Sequence, residues 1–172
     1  MSSATLPDPP RDVDAIESIE QALTLTTFTA DDVWEIGTAL RERLLAFQGP
    51  AVVNITLANS NQLLFHTATR SGTQADNDTW VARKRATVLR FGHSTWYMHN
   101  KNNGDESAFA AKYVLGERAG NYAIHGGGWP VRVKGVEGVV GVIVVSGLKQ
   151  EEDHQVIVEV LKEIVKKQEG KA

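Results

Sequence analysis

The chain of 172 residues contains no cysteine. That absence excludes disulfides, thiolate metal sites and a cysteine nucleophile, and it fits a reducing compartment. None of the five histidines pairs with another at a zinc-site spacing, so no metal is expected. No apolar run approaches the roughly 18 residues of a membrane span. The opening "MSSATLPDPPRDVDAIE" has neither an apolar h-region nor an Arg-rich amphipathic pattern. A cytoplasmic protein without membrane association is the expectation. Positive charge is not in excess: 18 Lys and Arg face 21 Asp and Glu, for a net charge of −3. No basic field is available for nucleic acid. A phosphate loop is missing, and so is a Gly-x-Ser-x-Gly elbow, because Ser146 sits in Val144-Val145-Ser146-Gly147-Leu148. No catalytic set is therefore assigned.

Hydrophobic residues make up 42% and charged residues 23% of the chain, a composition that suits one soluble domain with one core. Residues 1–12 are small, polar and Pro-rich, and are expected as a disordered tail. Residues 13–172 are expected to form a single domain. A short helix is predicted over "DAIESIEQALTL". A second follows in "TFTADDVWEIGTALRERLLAFQ", with Thr29 as N-cap, Asp32 three residues on, and Val33, Ile36, Gly37, Leu40 and Leu44 as its apolar stripe, stopped by Gly49-Pro50. "AVVNITLAN" and "QLLFHTAT" read as strands joined at Ser60-Asn61. The loop "RSGTQADND" leads into a helix that ends at Gly92, and Ser94 caps "STWYMHNK". "ESAFAAKYVLG" is helical and "ERAGN" a loop. "YAIHGG", "WPVRVKG" and "VVGVIVVSG" are strand candidates, and the last third closes on a helix whose charges follow its dipole, with Gly170 following it. The order predicts an α+β fold: one antiparallel sheet of about five strands flanked by helices.

The segment "DNDTWVARKRATVLRFGHS" holds the chief anomaly. Arg83, Lys84 and Arg85 stand in a row near the helix N-terminus, where the dipole favours anions. At about 100° per residue, Lys84 falls in the middle of the apolar arc of Trp80, Val81, Val88 and Phe91. Lysine rarely goes under cover without a partner. Either it snorkels past Trp80 and Phe91 to water, Asp76 or Asp78, or it faces a pocket or subunit interface with Arg83 or Arg85 and meets an anion there. Among the histidines, His66 lies in a strand, His125 closes another beside "GGG", and His93 sits at the Gly-His-Ser corner. A strand histidine is more often structural than a ligand. His154 is expected neutral and solvated in the first turn of the last helix, beside Glu151, Glu152 and Asp153. Gly126 and Gly127 permit close backbone approach by a ligand or chain, although a tight hairpin would use them equally.

"DNDTWVARKRATVLRFGHS", "YAIHGGGWPV" and "VVGVIVVSGLKQEEDH", in this order and spacing, resemble the fungal and bacterial branch of the PduO-C-terminal/GlcG/haem-degrading (HbpS-like) family. The resemblance covers about residues 26–166. It implies a PAS- or profilin-like sheet flanked by helices, and a homo-oligomer, from a dimer to a larger ring-like assembly. Some relatives bind or degrade haem, so it also implies a pocket for haem or a similar anionic small ligand. These relatives share no universal axial residue. His66, His93 and His125 are therefore the candidates at iron, and Arg83, Lys84 and Arg85 suit propionates, with Gly126 and Gly127 lining the site. The alternative is a non-enzymatic oligomeric scaffold or adaptor that interacts with other proteins, its cations paired with carboxylates of a neighbouring subunit.

Overall fold

The β-branched run near residue 140 becomes the strand that organises the fold. In the computed structural model, described for residues 5–171, Gly141–Ser146 is a strand buried along its whole length. Numbered in chain order, the strands are β1 (Val52–Leu57), β2 (Leu63–Ala68), β3 (Gly128–Val131) and β4 (Gly141–Ser146). They form one sheet in the order β2-β1-β4-β3, with every pair antiparallel. The helices are α1 (Val13–Ala22), α2 (Ala30–Leu44), α3 (Ala75–Phe91), α4 (Thr95–Lys101), α5 (Glu106–Lys112) and α6 (Gln150–Gly170).

Alternation along β1 and β4 divides the sheet into two faces. Val53, Ile55, Ile143 and Val145 join the main core, which α2 and α6 cover with Val33, Ile36, Leu40, Val156, Val160 and Leu161. Val52, Val142 and Val144 point the other way, onto Val81 and Val88 of α3. Each such side chain contributes about 1.5–3 kcal/mol by leaving water. A separate cluster of Ile16, Trp96, Tyr97, Met98, Phe109 and Ile124 ties α1 to α4 and α5.

Local chemistry sets most helix ends as expected. Thr29 and Asp32 form a reciprocal capping box at α2, Gly92 ends α3 in the left-handed region at φ 69°, and the Ser94 hydroxyl accepts from Tyr97 N. Several boundaries differ. α3 starts at Ala75, inside the expected loop, where the Gln74 and Asn77 side chains cap it. α2 ends at Leu44, before Gly49-Pro50 is reached. Gly116–Asn121 is a 3₁₀ helix rather than a loop. Gly170 is the last residue of α6 rather than lying beyond it.

The strand count also differs, four rather than about five. The predicted strand "YAIHGG" does not form, because helices take its backbone donors. Ala123 N donates to Thr87 Oγ1 of α3 at 3.1 Å, and Gly126 N donates to Gln150 Oε1 of α6 at 3.2 Å. His125 therefore sits in a loop before β3, not at a strand end, and Gly126-Gly127 is not a hairpin turn.

Of the segment expected as a tail, residues 1–4 lie outside the described residues. From Thr5 onward, Leu6 packs on the main core and Pro10 O accepts from Trp96 Nε1 at 2.8 Å. Among the described residues no helix is long and apolar enough to cross a membrane, and no group of three or more His, Asp and Glu is placed to hold a metal ion.

Candidate functional site

The three adjacent cations separate because a helix turns each toward a different neighbour. Arg83 donates to Tyr122 O at 3.0 Å and lies over the Trp80 ring, 4.5 Å from its centroid. Arg85 reaches the sheet and donates to Asn54 Oδ1 at 2.6 Å. Lys84 goes inward. Its Nζ donates to Val145 O at 3.0 Å and to Asp153 Oδ2 at 3.2 Å. Asp76 and Asp78, the nearby carboxylates, are not its partners.

Asp153 belongs to the first turn of α6, where the sequence suggested an acid serving the helix dipole. It is buried instead. Besides Lys84, its carboxylate accepts from Gly147 N at 3.3 Å and Leu148 N at 3.1 Å, so one side chain fixes the turn leaving β4. Burial pushes the Asp153 carboxyl above its ordinary value, while the Lys84 ammonium and the two amides oppose that rise. A signal for this burial was present in the spacing. Asp153 stands three, four and seven residues before Val156, Ile157 and Val160, all buried on the same helix face. His154 likewise precedes Ile157, Val158 and Leu161. It is enclosed between the rings of Trp96 and Trp129 rather than solvated, and burial lowers its pKa to about 3.

The Lys84–Asp153 pair forms the floor of a cleft of about 390 Å³. Gln74, Asp76, Asn77 and Trp80 from the start of α3 make one wall. Ser146, Gly147, Leu148 and Gln150 from the β4–α6 corner make the other, and His125 closes one side. The Trp80 and His125 rings meet edge-on with centroids 4.9 Å apart. Burial, reinforced by the charges of Lys84 and Arg83, holds the His125 pKa below the ordinary histidine value against the pull of Glu106. Its Nδ1 is buried and makes no hydrogen bond, but lies 3.5 Å from Glu106 Oε1. Gly127 explains the glycines behind the cleft. At φ +120° a Cβ there would strike Val145 O and stand 2.7 Å from Lys84 Nζ, so glycine is what lets the lysine lie under this loop.

The remaining predicted residues lie elsewhere. His93 stacks on Tyr97 with centroids 3.9 Å apart and bonds Glu20 Oε2 through Nδ1 at 2.9 Å, between α1 and α4. That carboxylate, buried and unforeseen from the sequence, also accepts from Ser94 N at 2.7 Å. His66 faces Asn54 across the β1–β2 ladder, beside Arg85. The structure thus brings Lys84, His125 and the glycine loop together, keeps Arg83 at their edge over Trp80, and assigns Arg85, His66 and His93 to other neighbourhoods.

Comparison with known proteins places this geometry in a family. The chain belongs to the family described as Haem degrading protein HbpS-like, which it matches over residues 28–162. It is 40% identical over 162 residues to a UPF0303 protein of Streptomyces coelicolor, covering 94% of this chain and 98% of the relative. The crystal structure of the Ybr137w protein superposes with a TM-score of 0.83 at 34% identity, covering 91% of this chain and 88% of that one; the YBR137W relative is from Saccharomyces cerevisiae. A crystal structure of HbpS shares the fold, with a TM-score of 0.61 at 18% identity over 81% of this chain and 91% of the other.

Proposed function

We propose that this HbpS-like chain is a binding protein for a small flat ligand held in the Trp80–Lys84–His125 cleft, with haem the member of that class to which the family description points. The observation that carries the reading is His125, an imidazole kept neutral by burial and set beside the Trp80 ring in the lining of the cleft. The neutral ring is the form that ligates a metal. The cations suit haem less well than the sequence suggested. Lys84 is already balanced by Asp153, so propionates would stay at the open rim in water. A volume near 390 Å³ lies at the low end for small-molecule sites, and a tetrapyrrole would lie partly outside it. A bound haem supplies iron. The chain supplies the His125 imidazole, the Trp80 edge, and the Gln74, Asn77 and Gln150 amides around the mouth.

Titration of the full chain with haemin, followed at the Soret band, tests this. A saturable shift at one haem per chain is expected, and His125→Ala should weaken it by about tenfold or more, since the iron loses its protein ligand. Trp80→Ala should weaken it less. A flat titration, or one that neither substitution alters, overturns the proposal.

A second reading, an oligomeric scaffold or adaptor, is favoured by a different observation. Trp34 is 66% exposed, with its ring packed edge-on against Phe65 of β2 at 5.9 Å between centroids. β2 is an edge strand whose outer side pairs with nothing among the described residues. An exposed tryptophan beside a free strand edge suits association with a second copy.

A further inference from the structure

The cation that the Lys84 site does not use has a cleft of its own. On the α3 face of the sheet, Arg85, Asn54, His66, Thr56, Leu63, Val81, Asn61 and Asp78 surround about 380 Å³. Arg85 is half-buried, and burial depresses its pKa with no carboxylate acting against it. One hydrogen bond from the guanidinium is present, Nη2 to Asn54 Oδ1 at 2.6 Å. Its Nε is buried without a partner.

Thr56 repeats the pattern independently. It is 2% exposed, and its Oγ1 is buried without a partner in the same cleft. A hydroxyl left so has lost its water without gaining a partner, and a half-buried guanidinium without an anion costs more.

The surrounding bonds are directional. Arginine has only donors, so the Asn54 carbonyl must face Arg85 and its amide NH₂ must face His66. The His66 Nδ1, 3.0 Å away, then accepts, and the ring carries its proton on Nε2, 3.5 Å from Asp78 Oδ1. Asn54 and His66 thereby satisfy each other and leave Arg85 Nε and Thr56 Oγ1 as the two groups behind the cleft surface without a hydrogen-bond partner.

We propose that this cleft binds the carboxylate of a small organic acid, received by the Arg85 guanidinium and the Thr56 hydroxyl. A carboxylate matches the planar fork of an arginine. Charge selects a monoanion, because only one cation is unopposed and Asp78 also lines the cleft. Leu63 and Val81 provide apolar wall for a short carbon chain. The site is separate from the His125 cleft, and its occupancy does not depend on the ligand there.

The test uses butyrate as the probe and butyramide as its neutral isostere, with the Arg85 Nε–H resonance and calorimetry as readouts on the full chain. Saturable binding of butyrate, with butyramide weaker by about tenfold or more, is expected. Arg85→Gln should abolish the difference between the two, Arg85→Lys should retain part of it, and Thr56→Val, close in shape, should weaken butyrate several-fold. His125→Ala should leave it unchanged. Equal binding of the two probes, or no saturation, overturns the proposal on the unaltered chain alone. So does a fall in molar mass for Arg85→Gln without butyrate binding, since a carboxylate of a second copy would then be the partner.

Discussion

Lys84 Nζ and Asp153 Oδ2 stand 3.2 Å apart with both side chains 3% exposed, and they join α3 to α6 across the end of β4. Two charges withdrawn from water this far hold together because each is the other's compensation and backbone groups satisfy the rest. The pair also positions the cleft floor, so site and fold depend on it together.

Removing one partner should therefore cost more than removing both. Lys84→Met leaves Asp153 buried and uncompensated, and a loss of about 3–5 kcal/mol is expected. Lys84→Met with Asp153→Leu should recover much of that loss. Urea midpoints of the two single variants and the double variant form the cycle that measures it; additive losses would contradict the coupling.

His154 gives stability a definite dependence on pH. Its folded pKa, about 3, lies below the ordinary value of 6.5, so the unfolded chain binds the proton more readily. Its contribution is complete above about 6.5 and is lost as pH falls toward 3, by roughly a factor of ten in the folding constant per pH unit. Asp153, whose carboxyl is raised by burial, acts with the opposite sign as pH falls through its folded value. Denaturation at pH 5 and pH 7 should show a smaller difference for His154→Leu than for the parent chain. An equal difference would remove His154 as the cause.

Two glycines with positive φ should respond differently to alanine. Gly127→Ala places a methyl against Val145 O and the Lys84 ammonium, and should cost several kcal/mol on the order of other strained, overpacked sites. At Gly135, φ +79°, nothing lies within 4 Å of the added carbon. Only the backbone conformation resists there, at about 1 kcal/mol. Thermal midpoints separate the two, and comparable losses would show that the cleft tolerates a side chain behind Lys84.

Trp34→Lys should lower the molar mass measured by light scattering if the α2–β2 edge is where copies meet, while the fold is retained in the far-UV spectrum. The exposed ring makes one aromatic contact, to Phe65, so the change should cost the isolated chain little. An unaltered mass would move the subunit contact elsewhere.

Much of this molecule is written in short-range chemistry. The capping box of Thr29 and Asp32, the left-handed stop at Gly92, the Ser94 cap and the stripe of α2 each depend on residues within a turn or two of one another, and all could be read from the chain. The same periodicity marked Lys84 as a cation in an apolar arc, because a helix fixes the direction of every side chain whatever it packs against. It could not name Asp153, which lies 69 residues on and is brought near by the sheet order β2-β1-β4-β3. Nor could it show that "YAIHGG" surrenders its donors to Thr87 and Gln150 instead of pairing as a strand, or that three neighbouring cations part toward Tyr122, Asp153 and Asn54. Local propensity sets how a segment bends. Which buried charge meets which, and which cation is left without an anion, is decided only when distant segments must satisfy their polar groups against one another.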